Sequence, residues 1–121
     1  MWGIAVAAFA VGALAFAAPP ASATTFCVPT FFEGCPNSNG NQAAALQTAL
    51  SMAGSDGSAD TVRLAPGTHG QNGAFTAAGS DDLTIVGAGR TETAITSTAT
   101  VAGAVLNLYS GNTRKVTVRD L

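Results

Sequence analysis

Few residues of this sequence have the types and spacing that chemistry requires, and the two cysteines are the most informative. Cys27 and Cys35 are the only cysteines and lie eight positions apart. In an oxidising compartment this spacing indicates one disulfide, worth roughly 2–3 kcal/mol in the chain-entropy model. A zinc site is the alternative, but zinc takes about four ligands and the single histidine, His69, is far away in the sequence. We therefore predict a Cys27–Cys35 disulfide and no metal site.

One polar segment resembles a calcium-binding loop but lacks two of that loop's residues. Asp56, Ser58 and Asp60 alternate as oxygen ligands do at the start of such a loop. The loop requires a glycine at its sixth position and a glutamate at its twelfth, where this sequence has Val62 and Gly67. These departures favour a polar turn before a strand over a calcium site.

The other acidic residues could line a binding face. Asp81 and Asp82 are adjacent, and neighbouring side chains of an extended chain point in opposite directions, so they are poorly placed to share a metal ion or a proton. A turn with an Asx-type hydrogen bond is the simpler interpretation. Arg119 and Asp120 could also line a binding face, although solvated outward charges are the simpler interpretation.

Three further features invite a functional interpretation, and each is weak. Gly87-Ala88-Gly89 follows a strand, as in a dinucleotide-binding turn, but Glu92 replaces the third glycine and the next residues favour a strand over a helix. His69 has no evident nucleophile partner and is predicted to be a surface turn residue. Tyr109 and Phe75 could stack on sugar rings, but single aromatic residues are more often core or corner residues. The sequence therefore predicts no catalytic residue and no cofactor.

The composition indicates one small exported domain. The chain has 121 residues, a formal charge of −2 and five scattered basic residues, which argues against a nucleic-acid partner. Residues 1–18 carry no charge, and Ala21-Ser22-Ala23 fits the small-x-small cleavage rule, so we predict a signal peptide over residues 1–23. No Lys or Arg precedes the apolar run, and the alternative is a retained anchor, which would be the chain's one contact with a membrane.

One helix is predicted in the mature chain, over Gln42–Ala53. Asn39 or Asn41 could cap its start through the side-chain oxygen, and Gly54 lies where a helix ends. The helix has a narrow apolar stripe, which needs an apolar surface to cover. The stripe consists of Leu46, Leu50 and Ala53, with Ala43 and Ala49 beside it.

Short apolar segments follow the helix and recur in the same order. They are Thr61–Leu64, Ala74–Thr76, Leu83–Val86, Ala94–Thr96, Val105–Leu108 and Val116–Val118. Equivalent residues are 33, 31 and 33 positions apart in three comparisons, which are Val62 with Ile95, Phe75 with Leu106, and Leu83 with Val116. Such a period indicates a solenoid, in which each strand pairs with its equivalent one coil away. We predict an all-β fold, a parallel β-helix of about two coils with the helix as its N-terminal cap and with Gly87 and Gly89 at a corner.

The order of these segments resembles the opening coils of secreted bacterial right-handed parallel β-helix proteins of the pectin-lyase-like superfamily. The resemblance rests on the predicted helix, on Asp60–Thr68 and on Leu83–Gly89, and it covers residues 41–121. It implies a right-handed parallel β-helix. The superfamily includes polysaccharide lyases, glycoside hydrolases, phage tailspikes and non-catalytic surface proteins. Its catalytic residues generally come from middle coils that have no counterpart here, so the resemblance assigns no catalytic residue.

Three functions are compatible with this sequence. The first is a secreted or cell-surface protein that binds a polysaccharide or a surface partner without catalysis. The second is a polysaccharide lyase or glycoside hydrolase whose catalytic coils follow Leu121, and the third is a structural stalk. The first is favoured because neither paired acids nor basic residues form a cluster, and whether the full-length protein is an enzyme stays open. We expect residues 24–40 to form a disulfide-closed segment and residues 41–121 to form the cap and first coils of a longer protein, since solenoids need about three repeats.

Overall fold

The computed structural model describes residues 23–54, 57–99, 103–108 and 114–121. These residues contain nine short strands, one α-helix and a single 3₁₀ turn at Asn37–Asn39. The strands and helix, in chain order, are β1 Thr25–Val28, β2 Asn41–Gln42, α1 Leu46–Ala53, β3 Asp60–Leu64, β4 Gly67–Gln71, β5 Phe75–Thr76, β6 Leu83–Val86, β7 Thr93–Ser97, β8 Leu106–Asn107 and β9 Val116–Arg119. The predicted signal segment, residues 1–23, lies outside the described residues except for Ala23.

The strands form three parallel sheets. The largest has five strands in the order β2-β1-β3-β6-β9, and the other two pair β4 with β7 and β5 with β8. Two adjacent rows of in-register residues cross the large sheet. The members of one row share a face of the sheet, and the two rows point to opposite faces. The two rows are Phe26, Val62, Ile85 and Val118, and Cys27, Arg63, Val86 and Arg119.

The inner face of the large sheet packs against α1 and forms the core. Along β3 the side chains alternate, since Val62 and Leu64 are buried while Arg63 is only partly buried. The helix contributes its apolar stripe to the same cluster, and each fully buried large apolar side chain there contributes roughly 1.5–3 kcal/mol. The buried residues of α1 are Leu46, Ala49, Leu50 and Ala53. The predicted stripe is therefore confirmed.

The predicted fold class, an all-β parallel β-helix of about two coils, is wrong. The described residues form a small mixed α/β structure, in which one helix lies in the core against several short parallel sheets, without a regular coil repeat. The spacing of paired residues is too uneven for such a repeat. Within the large sheet it is 36 residues from Thr25 to Thr61, 23 from Thr61 to Thr84, and 33 from Thr84 to Thr117.

The strand pairing explains why the predicted coils do not form. Leu83 pairs with Val116 and Phe75 with Leu106, as predicted. Val62 pairs with Ile85 and not with the predicted Ile95, because residues 67–71 form an additional strand, β4, whose partner is β7. The Pro66-Gly67 turn thus joins β3 to β4, and the sequence prediction missed β1, β2 and β4.

The helix begins later than predicted. Asn41 and Gln42 pair with β1, and this extended pairing keeps them out of the helix. Ala45 is the N-cap, without a side-chain hydrogen bond, so the predicted cap by Asn39 or Asn41 is wrong. The end of the helix at Gly54 is confirmed.

Candidate functional site

The outer face of the large sheet carries the floor of a cleft. Arg63 on β3, Val86 on β6 and Arg119 on β9 are in register on this face. Neighbouring strands lie about 4.8 Å apart, so the backbones that carry the two arginines are separated by about 10 Å. Val86 lies between them and is 5% exposed. The floor therefore has an apolar centre with one guanidinium group on either side.

A disulfide-closed loop forms the wall of the cleft. Cys27 and Cys35 are bonded, which confirms the predicted disulfide, and both are fully buried. Between them the chain makes a tight turn in which the amides of Phe32 and Cys35 donate to each other's carbonyl oxygens, at 3.1 and 2.9 Å. The turn presents Phe32, Glu33 and Gly34 to the cleft. We call residues 29–35 the wall.

The charged groups of the cleft are of both signs, and all of them except the partly buried Arg63 are exposed. Arg63 Nη1 donates to the carbonyl oxygen of Gly34 at 3.4 Å, which links floor and wall. Arg119 Nη1 lies 2.7 Å from Asp120 Oδ2, and the two side chains are 55% and 51% exposed. Since exposed ion pairs are worth at most about 1 kcal/mol, this pair leaves both groups available to a ligand. Glu33 adds a second carboxylate at the rim.

Close backbone packing forms one end of the cleft. A Cβ atom on Gly87 would lie 2.2 Å from the carbonyl oxygen of Asp120, so only glycine allows this approach. The amides of Gly87 and Gly89 donate to the carbonyl oxygens of Arg119 and Asp120, at 3.1 and 3.0 Å. Gly89 has φ +152°, a conformation that favours glycine, and Gly87 allows the close approach, whereas the coil corner predicted for both is wrong together with the coil.

The cleft has the size and lining of a small-ligand site. Its volume is about 590 Å³, within the range of about 300–1,000 Å³ that is usual for such sites. An aromatic residue, an apolar floor and several charged groups line it, and this combination suits a ligand with both an apolar face and polar substituents. The lining residues are Phe32, Glu33, Gly34, Arg63, Leu64, Pro66, Val86, Gly87, Ala88, Arg119 and Asp120.

A second cleft, of about 310 Å³, lies between the start of α1 and β4. Its polar side chains are already engaged in local hydrogen bonds. His69 Nε2 lies 2.9 Å from the carbonyl oxygen of Ala65, and Gln71 Nε2 donates to Ala74 at 2.8 Å. The prediction of His69 as a surface turn residue is wrong, because it lies partly buried within β4. These engaged groups make the second cleft the weaker candidate.

Three acidic residues singled out in the sequence, Asp60, Asp81 and Asp82, tie the backbone together outside the larger cleft. Asp81 Oδ2 accepts from the amide of Gly57 at 2.8 Å, and Asp82 Oδ1 accepts from the amide of Lys115 at 2.7 Å. The partners belong to distant segments, so the predicted local Asx-type bond is wrong. Asp60 is 2% exposed, and its Oδ1 accepts from the Thr24 amide and the Ser58 hydroxyl, both at 2.8 Å.

The remaining predicted residues have separate locations. Phe75 is buried in the core, as expected of a single aromatic residue. Asp56 and Tyr109 lie outside the described residues. Within the ranges that the structure describes, His, Cys, Asp and Glu side chains form no group of three that could hold a metal ion.

The sequence prediction missed the wall as a functional element. Arg119 with Asp120 was considered for a binding face, but the pair was not linked to Arg63, Phe32 or Glu33. The available signal was the aromatic pair Phe31-Phe32 inside the disulfide loop. Two large aromatic residues in a loop too short to have its own core are expected to lie at a surface.

Comparisons with known proteins identify no relative. No protein-family model matches the sequence, and no curated protein or solved structure gives a significant match. The resemblance to the pectin-lyase-like superfamily thus stays a prediction. In the part of the chain that the structure describes, no helix has the length and apolar character needed to span a membrane.

Proposed function

We propose that this chain belongs to a secreted or cell-surface protein that binds a glycan in the larger cleft without cleaving it. The observation that carries the proposal is the juxtaposition of Arg63 and Arg119 on the floor with Phe32 on the wall. Sugars present an apolar ring face that stacks on aromatic side chains, and hydroxyl oxygens that accept hydrogen bonds from guanidinium groups. The disulfide supports an oxidising, extracytoplasmic location.

The charge pattern supports a glycan over a nucleic acid. The cleft offers two guanidinium groups and two carboxylates, and the whole chain is acidic. Phosphate backbones are bound by concentrated positive charge, which this cleft lacks. A ligand rich in hydroxyl groups can use donors and acceptors together, as the mixed lining provides.

A glycan array with the oxidised full chain tests the proposal. We expect at least one extended oligosaccharide to bind, and we expect the Arg63→Ala/Arg119→Ala variant to lose at least about 10-fold in affinity, since hydrogen bonds to charged groups contribute about 1.5–3 kcal/mol each. Arg90→Ala is the matched control, because Arg90 is exposed and lies outside the cleft.

Two results would contradict the proposal. One is the absence of binding to every glycan on the array, and the other is an equal loss of affinity in the Arg90→Ala control. Shortening of the bound oligosaccharide during incubation would contradict a purely binding role.

A further inference from the structure

We infer that the cleft exists only while the Cys27–Cys35 disulfide is intact, so that ligand binding is switched off by reduction although the sheet and core stay folded. The inference rests on the proposed function for its ligand. Its structural part rests on how the wall is attached to the rest of the chain.

The wall has few attachments apart from the disulfide. Among the hydrogen bonds of the described residues, two join residues 29–35 to the rest of the chain besides contacts of the disulfide itself. Thr30 Oγ1 donates to Gln42 Oε1 at 2.9 Å in an exposed position, and Arg63 Nη1 donates to Gly34 at 3.4 Å. Both involve solvent-accessible side chains, where water competes for the same groups, so they hold the wall weakly.

The aromatic residues of the wall do not anchor it in the core. Phe31 and Phe32 are only partly buried, and neither belongs to the buried apolar cluster. The bonds between the Phe32 and Cys35 backbones lie within the wall and hold only its own turn. Apart from Cys35, the wall therefore contributes no side chain to the buried core of the protein.

The two cysteines differ in what holds them. Cys27 lies within β1, which pairs with β2 on one side and β3 on the other, and its carbonyl oxygen accepts from the amide of Ala43 at 2.9 Å. Cys35 lies at the end of the wall and reaches the sheet through its sulfur. When the bond is cut, Cys27 stays with the sheet, whereas Cys35 and the wall can move away.

A dithiol reduces this bond after a transient opening of the wall. A thiolate of the dithiol attacks one sulfur and forms a mixed disulfide, and its second thiol then displaces that cysteine. Two electrons and two protons pass to the protein, which gains two cysteine thiols, while the reductant becomes a cyclic disulfide. Both cysteines are fully buried, so the attack follows local opening and the switch is slow.

Hydrogen exchange of the full chain, with and without dithiothreitol, tests the inference. On reduction, we expect the amides of Phe32 and Cys35 to exchange at least about 10-fold faster, because their short turn is not stable once it is released from the sheet, while amides of β3 and β6 keep their protection. Affinity for the glycan that binds best to the oxidised protein should fall at least about 10-fold, because the ligand loses the wall. The Cys27→Ala/Cys35→Ala variant should match the reduced protein and should not respond to dithiothreitol.

Each alternative result has one meaning. Unchanged exchange at Phe32 and Cys35 after complete reduction overturns the inference, as does loss of protection throughout β3 and β6. If the wall is released but the glycan affinity is unchanged, the wall does not contribute to glycan binding, and that part of the inference is overturned. If no glycan binds in either state, the proposed function fails, and the exchange data still decide whether the disulfide holds the wall.

Discussion

The floor and the wall of the cleft are held in different ways. Arg63 and Arg119 on the floor belong to strands of one sheet, whose opposite face is buried. Phe32 and Glu33 on the wall belong to a loop that is closed by one disulfide. The floor is held by many small contributions, so its position depends on the fold as a whole. Apart from the peptide bonds at its two ends, the wall has one strong attachment, the disulfide, and it can change without the floor. The site therefore combines a rigid floor with a wall that reduction of the disulfide can release.

The largest expected effect is in the core beneath the floor. Ile85 is fully buried on β6, and Ile85→Ala should lower the free energy of unfolding by about 2–5 kcal/mol through lost burial and a residual cavity. Val118 is its in-register neighbour on β9 and is 41% exposed, so Val118→Ala should cost less than about 1 kcal/mol. Urea denaturation measures both, and equal losses would contradict the core described here.

Removal of the disulfide should have the next largest effect. Loss of the bond in Cys27→Ala/Cys35→Ala should lower the free energy of unfolding by about 2–3 kcal/mol, because the bridge constrains the unfolded chain through a short loop. The same urea experiment, followed by near-ultraviolet circular dichroism of the native variant, checks that tertiary packing survives. A variant without any native transition would show that wall and floor are one unit.

Glycine substitutions test how far the backbone of the floor strands and that of the wall tolerate an added methyl group. At the end of the cleft that adjoins the floor, Gly87→Ala would place a methyl group 2.2 Å from the carbonyl oxygen of Asp120, and the required shift should cost about 1–3 kcal/mol. On the wall, Gly34→Ala meets the Phe32 ring at 3.2 Å, and the ring can turn away, so we expect a loss below about 1 kcal/mol. In thermal denaturation, Gly87→Ala should lower the midpoint more than Gly34→Ala does. The reverse order would contradict a rigid floor and an adaptable wall.

The smallest effect is expected at the exposed ion pair of the cleft. Asp120 has φ 60°, a conformation that asparagine tolerates, so Asp120→Asn removes the charge and keeps the backbone. Because the pair with Arg119 is about half exposed, the stability loss should be below about 1 kcal/mol and should vanish in high salt. A loss above about 2 kcal/mol in urea denaturation would show that this pair is structural.

Much of the local structure follows from the sequence, and the arrangement of the strands does not. Alternating apolar residues predicted the strand at Leu83–Val86, and the stripe of Leu46, Leu50 and Ala53 predicted the buried face of the helix. The early start of the helix was overridden by pairing of Asn41 and Gln42 with β1. Such pairing is a tertiary contact, and local propensity cannot report it.

The fold class was wrong for a related reason. Matching segments such as Leu83–Val86 and Val116–Val118 do pair, but a period read from three matches hides a strand without an apolar pattern. Residues 67–71 are such a strand, because glycine, threonine, histidine and glutamine give no alternation. The insertion of β4 changed which partner Val62 takes.

The candidate site could be predicted only in part. The spacing of Cys27 and Cys35 predicted the disulfide, and Arg119 with Asp120 was considered for a binding face. That Arg63 and Arg119 share one face depends on the register across β6, and that Phe32 faces them depends on the path of the wall. Both depend on contacts between residues far apart in the sequence, which the local sequence pattern does not predict.

The most direct test of this account is a nuclear magnetic resonance titration of the isotope-labelled, oxidised full chain with the oligosaccharide that binds best on the array. We predict shift changes confined to Phe32, Glu33 and Gly34 on the wall and to Arg63 and Arg119 on the floor. Shift changes centred on His69 and Gln71 of the second cleft, or none with any bound oligosaccharide, would contradict it.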